Sequence, residues 1–470
     1  SNVNGTYFIS VGDNATLVFS FVGFTTQEVP AGGRTAIDVA LMTDVIALNE
    51  VVVVGYGQQE QKDVTGVVTA INSENFNKGA IVSPDQLITG KIAGVQILQN
   101  SGEPGGQSTI RIRGGTSLNA SNEPLYVIDG VPIDNSAFNP GGLSSGRNPL
   151  NFINPNDIES FTILKDASAA AIYGSRAANG VIIITTKKGK SGAPVVTYDG
   201  WVSSGSIADR IDVFNADQFR EIIAAKAPKH LGRLGTSYTD WQDEIYQNAV
   251  GQNHSLTIAG GTDKFGYRAS VGYQDQEGII RTSETKRTSF SMSLNQKLLD
   301  DDLDITVNLK GSRTNDRFSP GVVGAAMEMD PTQPILDPTS PWGGYFVWKN
   351  EAGEYERQAT INPVSSLNMI EEYGTSNRSI GNIQLDYKIR PIPGLSANVN
   401  LGYDVANGDR ERFQPSKYFA VAADSGEIKI ENYTRLSQLL ETYLNYKREI
   451  IEHLGIDGVA RYSRQNFKSK

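Results

Sequence analysis

Three short patterns in this sequence could belong to reactive or ligand-binding sites. They are Gly142-Leu-Ser-Ser-Gly146, which matches a nucleophilic serine motif, Gly189-Lys-Ser191, which resembles the end of a phosphate-binding loop, and the aspartate-rich residues 300–304. The first lies among prolines and glycines, without the strand and helix that flank such a serine. The second lacks the first glycine of its motif, and the third lacks the ligand spacing of a calcium loop. The sequence therefore predicts no enzyme activity, no metal site and no cofactor.

The segment Leu-Asn-Glu-Val-Val-Val-Val-Gly-Tyr-Gly at residues 48–57 could instead act through its backbone. Four consecutive valines favour an extended chain, because β-branched side chains fit a pleated strand better than a helix. Asn49 and Glu50 on one side and two glycines on the other limit the strand to a few residues. Such a strand can be added to the sheet edge of a partner. An ordinary buried strand of the N-terminal region is the alternative.

Arg111 and Arg113 stand at alternate positions of a predicted strand, directly before two glycines. A buried guanidinium group is costly unless it is paired. We therefore expect both arginines to face carboxylates, either on an enclosing wall or on their own domain. Plain surface exposure is the alternative.

Four aromatic residues lie close together in the longest predicted loop. They could stack on sugar rings or pack against a partner, and packing within the loop itself fits the sequence equally well. The four are Trp342, Tyr345, Phe346 and Trp348.

Composition narrows the class of protein. With 470 residues the chain exceeds one ordinary core, so two or three domains are expected. The net charge of −10 and the pI near 5.0 argue against nucleic-acid binding. Cysteine is absent, which excludes disulfides and thiolate sites. The sequence has no apolar run long enough for a membrane-spanning helix, whereas a membrane barrel stays open, because its strands carry only alternating hydrophobicity.

The elements that hold these residues change in type along the chain. Residues 1–47 alternate short apolar runs at 7–11, 16–22 and 36–41 with turns, which predicts part of a small β-sandwich. Residues 48–62 are the valine-rich segment and a linker. Residues 63–190 mix predicted strands with helix signals, so we expect a small α/β domain with helices starting near Ser83 and near Ala167.

Beyond residue 190 the pattern becomes strictly alternating. Phe290, Met292 and Leu294, for example, are separated by serines, so each predicted strand has one apolar and one polar face. Nine such strands start near residues 195, 254, 265, 288, 303, 379, 395, 436 and 456. Short links alternate with long loops, which is typical of an outer-membrane barrel. A soluble β-sandwich or propeller is the alternative.

Several segments resemble a known family. Besides residues 48–57, they are Arg111-Ile-Arg-Gly-Gly115, Leu125-Tyr-Val-Ile-Asp-Gly-Val-Pro132, Leu164-Lys-Asp-Ala-Ser-Ala-Ala-Ala-Ile-Tyr-Gly-Ser-Arg-Ala-Ala-Asn-Gly180 and Val181-Ile-Ile-Ile-Thr-Thr186. In this order, after a sandwich remnant and before alternating strands, they resemble the SusC/RagA-type TonB-dependent transporters. The resemblance covers essentially the whole chain and is strongest at residues 48–190.

The resemblance implies a mainly β fold in four parts. Residues 1–47 would be a partial carboxypeptidase-regulatory-like β-sandwich, 48–62 the TonB-box segment and linker, 63–190 the plug domain, and 191–470 about nine antiparallel strands of a transmembrane β-barrel, which has about 22 strands in the family. The implied function is active import of oligosaccharides or peptides across the outer membrane of a Gram-negative bacterium. Implied partners are TonB with the inner-membrane ExbB/ExbD energy complex, a SusD-like surface lipoprotein and outer-membrane lipid.

The same resemblance assigns roles to particular residues. The TonB-binding segment would be Glu50, Val51, Val52, Val53 and Val54, and Arg111 and Arg113 would make contacts between plug and barrel. Long polar loops between strands of the plug are candidates for contact with substrate. Their residues are Asn119, Asn122, Asn135, Phe138 and Arg147.

The number of strands departs from the family. Nine strands are fewer than half of the family's barrel, and unpaired strand edges are prohibitive in lipid. We therefore expect the polypeptide to continue beyond residue 470, or a second chain to supply the remaining strands. Two rival functions stay open at this point, a TonB-linked receptor for siderophores or cobalamin and a soluble β-rich adhesin.

Overall fold

The computed structural model describes most of the chain from residue 68 onward and shorter stretches before it. The described residues are 7–12, 15–19, 27–40, 51–53, 58–60, 68–115, 122–133, 146–166, 171–451 and 454–470. We call residues 68–186 the plug and the nine-stranded sheet at residues 192–469 the wall.

Two small hairpins precede the plug. β1 (Thr16–Phe19) pairs antiparallel with β2 (Gln27–Pro30), and β3 (Val51–Val53) pairs antiparallel with β4 (Gln58–Glu60). The strands predicted at 7–11 and 36–41 are wrong where the structure describes them, because residues 7–11 and 36–40 are irregular. An extended segment becomes a strand only with a ladder partner, and the described chain pairs β1 with β2 instead.

The plug is built on a five-stranded sheet with the order β5-β10-β11-β8-β9 and a separate hairpin of β6 and β7. In the sheet, β11 runs parallel to β8, and the other neighbours are antiparallel. The strands are β5 (Val68–Asn72), β6 (Val95–Gln99), β7 (Ser108–Ile112), β8 (Leu125–Ile128), β9 (Val131–Pro132), β10 (Ile158–Leu164) and β11 (Val181–Thr186). Short 3₁₀ helices at Ser73–Asn75, Pro84–Ile88, Pro155–Asp157 and Ala171–Ala177 connect them.

Local sequence explains much of the plug. Ser83 and Gln86 form a capping box at the start of the helix at Pro84–Ile88. Asp129 and Gly130 both have positive φ angles, 46° and 86°, and form a two-residue hairpin loop between β8 and β9. The helix predicted from Ala167 is a 3₁₀ helix where it is described, and Gly174 interrupts it with a φ of 69°.

The larger core of the plug is a cluster of buried apolar side chains, joined by Ile380 of the wall. Phe161, Ile163 and Ile184 are fully buried in it, and Phe76 packs edge-on against Phe161 with the ring centroids 5.5 Å apart. β-branched side chains dominate the central strands, which are buried on both faces.

The wall confirms the nine predicted strands. They follow one another in sequence order as an antiparallel meander. They are β12 (Gly192–Gly205), β13 (Ala249–Gly261), β14 (Phe265–Glu277), β15 (Glu284–Leu298), β16 (Leu303–Arg317), β17 (Glu371–Lys388), β18 (Leu395–Gln414), β19 (Glu427–Ile451) and β20 (Leu454–Ser469).

The loops of the wall are sorted by length between its two ends. Short turns join β13 to β14, β15 to β16 and β17 to β18, whereas the longest loops, at residues 206–248 and 318–370, lie at the opposite end. These loops carry the helices α1 (Ala216–Lys226), α2 (Trp241–Ile245), α3 (Val323–Glu328) and α4 (Pro363–Met369). In the described part of the chain, every helix is too short or too polar to cross a membrane.

The wall is polar on the face that is buried and apolar on the face that is exposed. On β15, Ser289, Ser291 and Ser293 are at most 7% exposed, whereas Phe290 between them is 40% exposed. On β18, Asn400 is 4% exposed and its neighbour Leu401 is 50% exposed. This is the reverse of a sheet in a water-soluble protein, where the apolar face is buried.

Candidate functional site: the polar interface of plug and wall

The plug lies against the polar face of the wall, and charged side chains hold it there. At the turn end of the wall, the carboxylate of Asp157 accepts hydrogen bonds from Arg268 Nη1 at 2.7 Å and from Ser270 Oγ at 2.8 Å. The side chains of Asp157 and Arg268 are less than one-tenth exposed. Nearby, Asn154 Nδ2 donates to Ser255 Oγ at 3.0 Å. Because buried charges are costly unless paired, these contacts fix the position of the 3₁₀ helix at Pro155–Asp157.

A second contact lies at mid-height, at the tip of the β8–β9 hairpin. The carboxylate of Asp129 forms a buried ion pair with Lys310 of β16 and accepts hydrogen bonds from the backbone and side chain of Thr186 at 2.9 and 2.8 Å. Burial alone would raise the pKa of Asp129, but the charge of Lys310 and these hydrogen bonds lower it below its ordinary value. Asn382 Nδ2 and Asn400 Nδ2 donate to the backbone oxygens of Asp129 and Gly130, at 3.1 and 3.3 Å.

A third contact holds the plug segment at residues 149–152. Arg378 of β17 makes a bidentate pair with Asp404 of β18, at 2.9 and 2.7 Å, and its third nitrogen donates to the backbone oxygen of Pro149 at 2.9 Å. Arg287 of β15 donates to the backbone oxygen of Asn151 at 2.6 Å. Both planar guanidinium groups thus hold backbone oxygens of the plug; the charge of Arg378 is matched by Asp404, whereas Arg287 also donates to the neutral side chain of Gln274.

Arg147 makes a fourth contact, at the loop end of the wall. Its Nε donates to Asp316 of β16 at 3.0 Å, and its Nη1 to Glu103 of the plug at 3.3 Å. The residue is 7% exposed. Sequence analysis predicted Arg147 as a substrate-facing residue, and the structure places it between plug and wall; contact with substrate stays a prediction.

The other predicted plug residues are distributed as follows. Arg113 pairs with Asp166 of the plug itself and is half exposed. Arg111 is partly buried, and its charge acts on Glu123 of the plug, whose pKa burial raises while Ile110 N–H and Arg111 oppose that rise. Contacts of these two arginines with the wall stay a prediction. Asn122 is partly buried, whereas Asn119, Asn135 and Phe138 lie outside the described residues.

The valine-rich segment is described at three of its five predicted positions. Val51, Val52 and Val53 form β3, while Glu50 and Val54 lie outside the described residues. β4 pairs with one edge of this strand. A strand has two edges for backbone hydrogen bonds, and the pairing with β4 uses one edge of β3.

The aromatic cluster in the longest loop packs within the loops. Trp342 contacts Phe419 and Tyr355, with ring centroids 5.2 and 5.8 Å apart, and Phe346 contacts Trp348 edge-on at 5.2 Å. Tyr345, Phe346 and Trp348 also pack against the apolar core of α2, α3 and α4. Of the alternatives in the sequence, loop-core packing is the one observed.

The acidic turn between β15 and β16 is an ordinary charged turn. Asp300 and Asp301 have positive φ angles, and Arg390 pairs with Asp302 and lies 4.0 Å from Asp300. Among the described residues, no three His, Cys, Asp or Glu side chains come together in a way that could hold a metal ion.

The interface between plug and wall is mainly polar. Most of its contacts are hydrogen bonds and ion pairs, to which Ile380 of β17 adds an apolar contact with the plug core. Water can replace protein partners at polar groups when two surfaces separate. Sequence reasoning missed Arg268, Lys310 and Arg378 as members of this interface. A usable signal was present, because each is a basic residue in phase with small buried polar side chains of its own strand, which are Ser270, Asn308 and Asn382.

Comparison with known proteins shows which family the chain resembles in sequence and in fold. Residues 60–181 match the TonB-dependent Receptor Plug Domain family. The chain is 40% identical over 430 residues to the TonB-dependent receptor SusC of Bacteroides thetaiotaomicron, which covers 87% of this chain and 42% of SusC. The RagAB peptide importer in its open-open state shares the fold with a TM-score of 0.69 and 24% identity, over 89% of this chain and 49% of that one.

Similarity to siderophore receptors extends over less of the chain. The ferric enterobactin receptor PirA of Pseudomonas aeruginosa is 34% identical over 149 residues, which is 31% of this chain and 19% of PirA. The chain spans less than half the length of both SusC and the RagAB chain. From the plug match and the 40% identity to SusC over most of its residues, we conclude that the chain belongs to the SusC/RagA-type TonB-dependent receptors.

Proposed function

We propose that this chain takes part in TonB-dependent import of bulky nutrients, oligosaccharides or peptides, across the outer membrane of a Gram-negative bacterium. The observation that carries the proposal is the wall, whose exposed face is apolar and whose buried face is polar and holds the plug. An apolar outer face suits hydrocarbon, in which all backbone groups must be paired. A domain on the inner face would close the lumen until it moves.

Movement of the plug requires a source of work. The valine-rich segment Glu50 to Val54 would pair with TonB, which the inner-membrane ExbB/ExbD complex energises. Pairing through backbone hydrogen bonds gives a firm grip without demanding particular side chains. The strand conformation of Val51–Val53 supports this role.

The same proposal includes a surface partner and a class of cargo. A SusD-like lipoprotein would cover the loop end of the wall and deliver substrate. The RagAB structure is that of a peptide importer, so peptides are one candidate class, and oligosaccharides are the other. A siderophore receptor is the weaker alternative, because PirA matches less than a third of the chain, and a soluble adhesin does not fit the apolar exposed face of the wall.

The test uses the full-length receptor in its native host, with cargo identified by mass spectrometry of material that copurifies. Val52→Pro removes a backbone donor and disfavours the strand. We expect Val52→Pro to abolish uptake of that cargo, while the cargo still binds to the cells. Deletion of Glu50 to Val54 should have the same two effects.

The matched control is Val52→Thr, which keeps a β-branched side chain and the backbone donor. It should take up cargo at the wild-type rate. Unchanged uptake by the proline variant and the deletion would refute the proposed role of this segment.

A further inference from the structure

The base of the long wall loop at residues 318–370 is a closed structural unit. Its two ends meet where the backbone N–H of Phe318 donates to the oxygen of Glu372 at 2.9 Å. Arg410 of β18 donates through Nε to the Glu372 carboxylate at 2.7 Å, and its guanidinium carbon lies 3.6 Å from the centroid of the Phe318 ring. Arg410 therefore contacts both ends of the loop, through an ion pair and a cation–π contact.

The plug reaches the same aromatic ring. The guanidinium carbon of Arg147 lies 4.2 Å from the centroid of Phe318, and Arg147 also pairs with Asp316, two residues before that ring. Phe318 is 5% exposed, so its ring contacts these protein neighbours and almost no solvent. A cation of the plug and a cation of the wall thus share one ring at the base of the loop.

Arg147 is fixed to the plug through its backbone. It forms a β-bridge with Gly106, while the adjacent residues Gly146 and Asn148 exchange backbone hydrogen bonds with Gln107 and Gly105, both at 3.1 Å. A displacement of this part of the plug therefore displaces the guanidinium group. The group cannot stay over Phe318 while the plug moves away.

The surroundings of the ring leave room for a second arrangement. A cavity of about 50 Å³ lies between plug and wall, lined in part by Arg147, Phe318 and Arg410. Within the described residues, Arg147 Nη2 is buried and has no hydrogen-bond partner. Both features are rare in close-packed interiors. Because the cavity gives the Arg147 side chain room to move and one of its donors has no bond to lose, we expect this contact to rearrange at a lower free-energy cost than the fully paired contact of Arg378.

We propose that Arg147 is a positioning residue that couples the plug to the loop at residues 318–370. While the plug is seated, Arg147 and Arg410 hold Phe318 and so stabilise the base of the loop; when the plug shifts, that support is lost and the loop loosens. Coupling is reciprocal, so a loop held in place from outside favours the seated plug. The inference rests on the proposed function, because it takes the plug as the moving part of an importer.

Hydrogen exchange of the full-length receptor in detergent tests the coupling. In Arg147→Ala, amides of the loop at residues 319–370 should exchange roughly 5-fold faster or more, in line with typical coupling between sites. Arg147→Lys keeps the charge beside Asp316 but loses the planar group over the ring, so it should restore part of the protection. Phe318→Leu should speed exchange at residues 146–152 of the plug.

Arg268→Ala is the matched control. It also removes one buried pair between plug and wall, but Arg268 is level with Asn308 across the sheet, roughly 26 Å along β16 from Asp316. Loop exchange should stay at the wild-type rate in this variant. An equal rise in both alanine variants, or no rise in Arg147→Ala, would overturn the coupling.

A second variant covers the case in which Arg147→Ala does not fold. A methyl group on Gly374 would lie 3.0 Å from Phe318 Cε2, so Gly374→Ala presses on the ring and leaves every charge in place. It too should speed exchange of the loop, and unchanged exchange would contradict the proposal. Exchange in purified protein needs no TonB, so its failure is separate from a failure of the uptake test.

Discussion

The contact between Asp129 and Lys310 shows what single residues contribute to the interface. Both side chains are 5% exposed, so their charges are withdrawn from water and depend on each other. Asp129 also occupies a left-handed backbone conformation, which aspartate and asparagine tolerate better than most residues. This position therefore allows an almost isosteric test of the charge alone.

Asp129→Asn should destabilise the receptor at neutral pH by about 3–5 kcal/mol, because it leaves Lys310 buried without its counter-charge. The pKa of Asp129 is lowered in the folded protein, so its contribution to stability is complete above the ordinary value of 3.8 and is lost as the pH falls below it. Thermal unfolding of both proteins across this range should show a gap that narrows in acid. A gap independent of pH would contradict this assignment.

The partners in ion pairs of this kind could not be predicted from the sequence. Arg147 and Asp316 are 169 positions apart, and Lys310 and Asp129 are 181 apart. Propensity and periodicity report on neighbours along the chain, so they placed each charge on a strand face or in a loop without identifying its partner. For Arg113 the sequence predicted a carboxylate partner on the wall or on its own domain, and only the folded plug shows that this partner is Asp166, 53 positions away.

At the scale of elements, alternation of side chains along a strand decides which face meets which environment. The nine strands were predictable because each carries this alternation, and the Asp129-Gly130 turn because both residues accept positive φ. In the N-terminal region the apolar run at 16–22 contains β1, whereas the runs at 7–11 and 36–41 do not form strands where they are described, because short apolar runs do not specify a partner. The helix predicted from Ala167 is a 3₁₀ helix at the described residues Ala171–Ala177, and its kink at Gly174 is a conformation that glycine permits but does not dictate.

The exposed face of β18 gives a prediction at this scale. Leu401→Arg places a charge on the apolar face and should destabilise the inserted receptor by about 2–4 kcal/mol if the residue lies near the bilayer midplane. Ile428→Arg is the control, because Ile428 is also exposed but lies at the loop end of β19, where the cost falls to about 0–1 kcal/mol. Denaturant unfolding from liposomes measures both, and equal costs would contradict a lipid-facing band.

At the scale of the whole molecule, the contacts that stabilise the plug differ from the contacts that attach it to the wall. Of the buried residues in the larger apolar core cluster of the plug, all but Ile380 of the wall belong to the plug itself in the described part of the chain. We therefore expect the plug to keep its fold when its contacts with the wall change. The wall contacts the plug mainly through polar groups, with which water can form hydrogen bonds when the surfaces separate. The order of plug and wall and the alternation along the wall strands were readable from the sequence. The height and partner of each contact across the interface were not, because they depend on the register of the wall strands.

In the proposed importer, the apolar face of the wall meets lipid and its polar face encloses the plug. These 470 residues contain no cysteine, so single cysteines can be placed along β18 of the full-length receptor in liposomes and spin-labelled. Labels at Val399, Leu401 and Tyr403 should collide freely with oxygen dissolved in the bilayer, and labels at Asn398 and Asn400 should be shielded from both oxygen and a water-soluble nickel chelate. The opposite phase, or ready access of the nickel chelate to residues 399 and 401, would contradict the account.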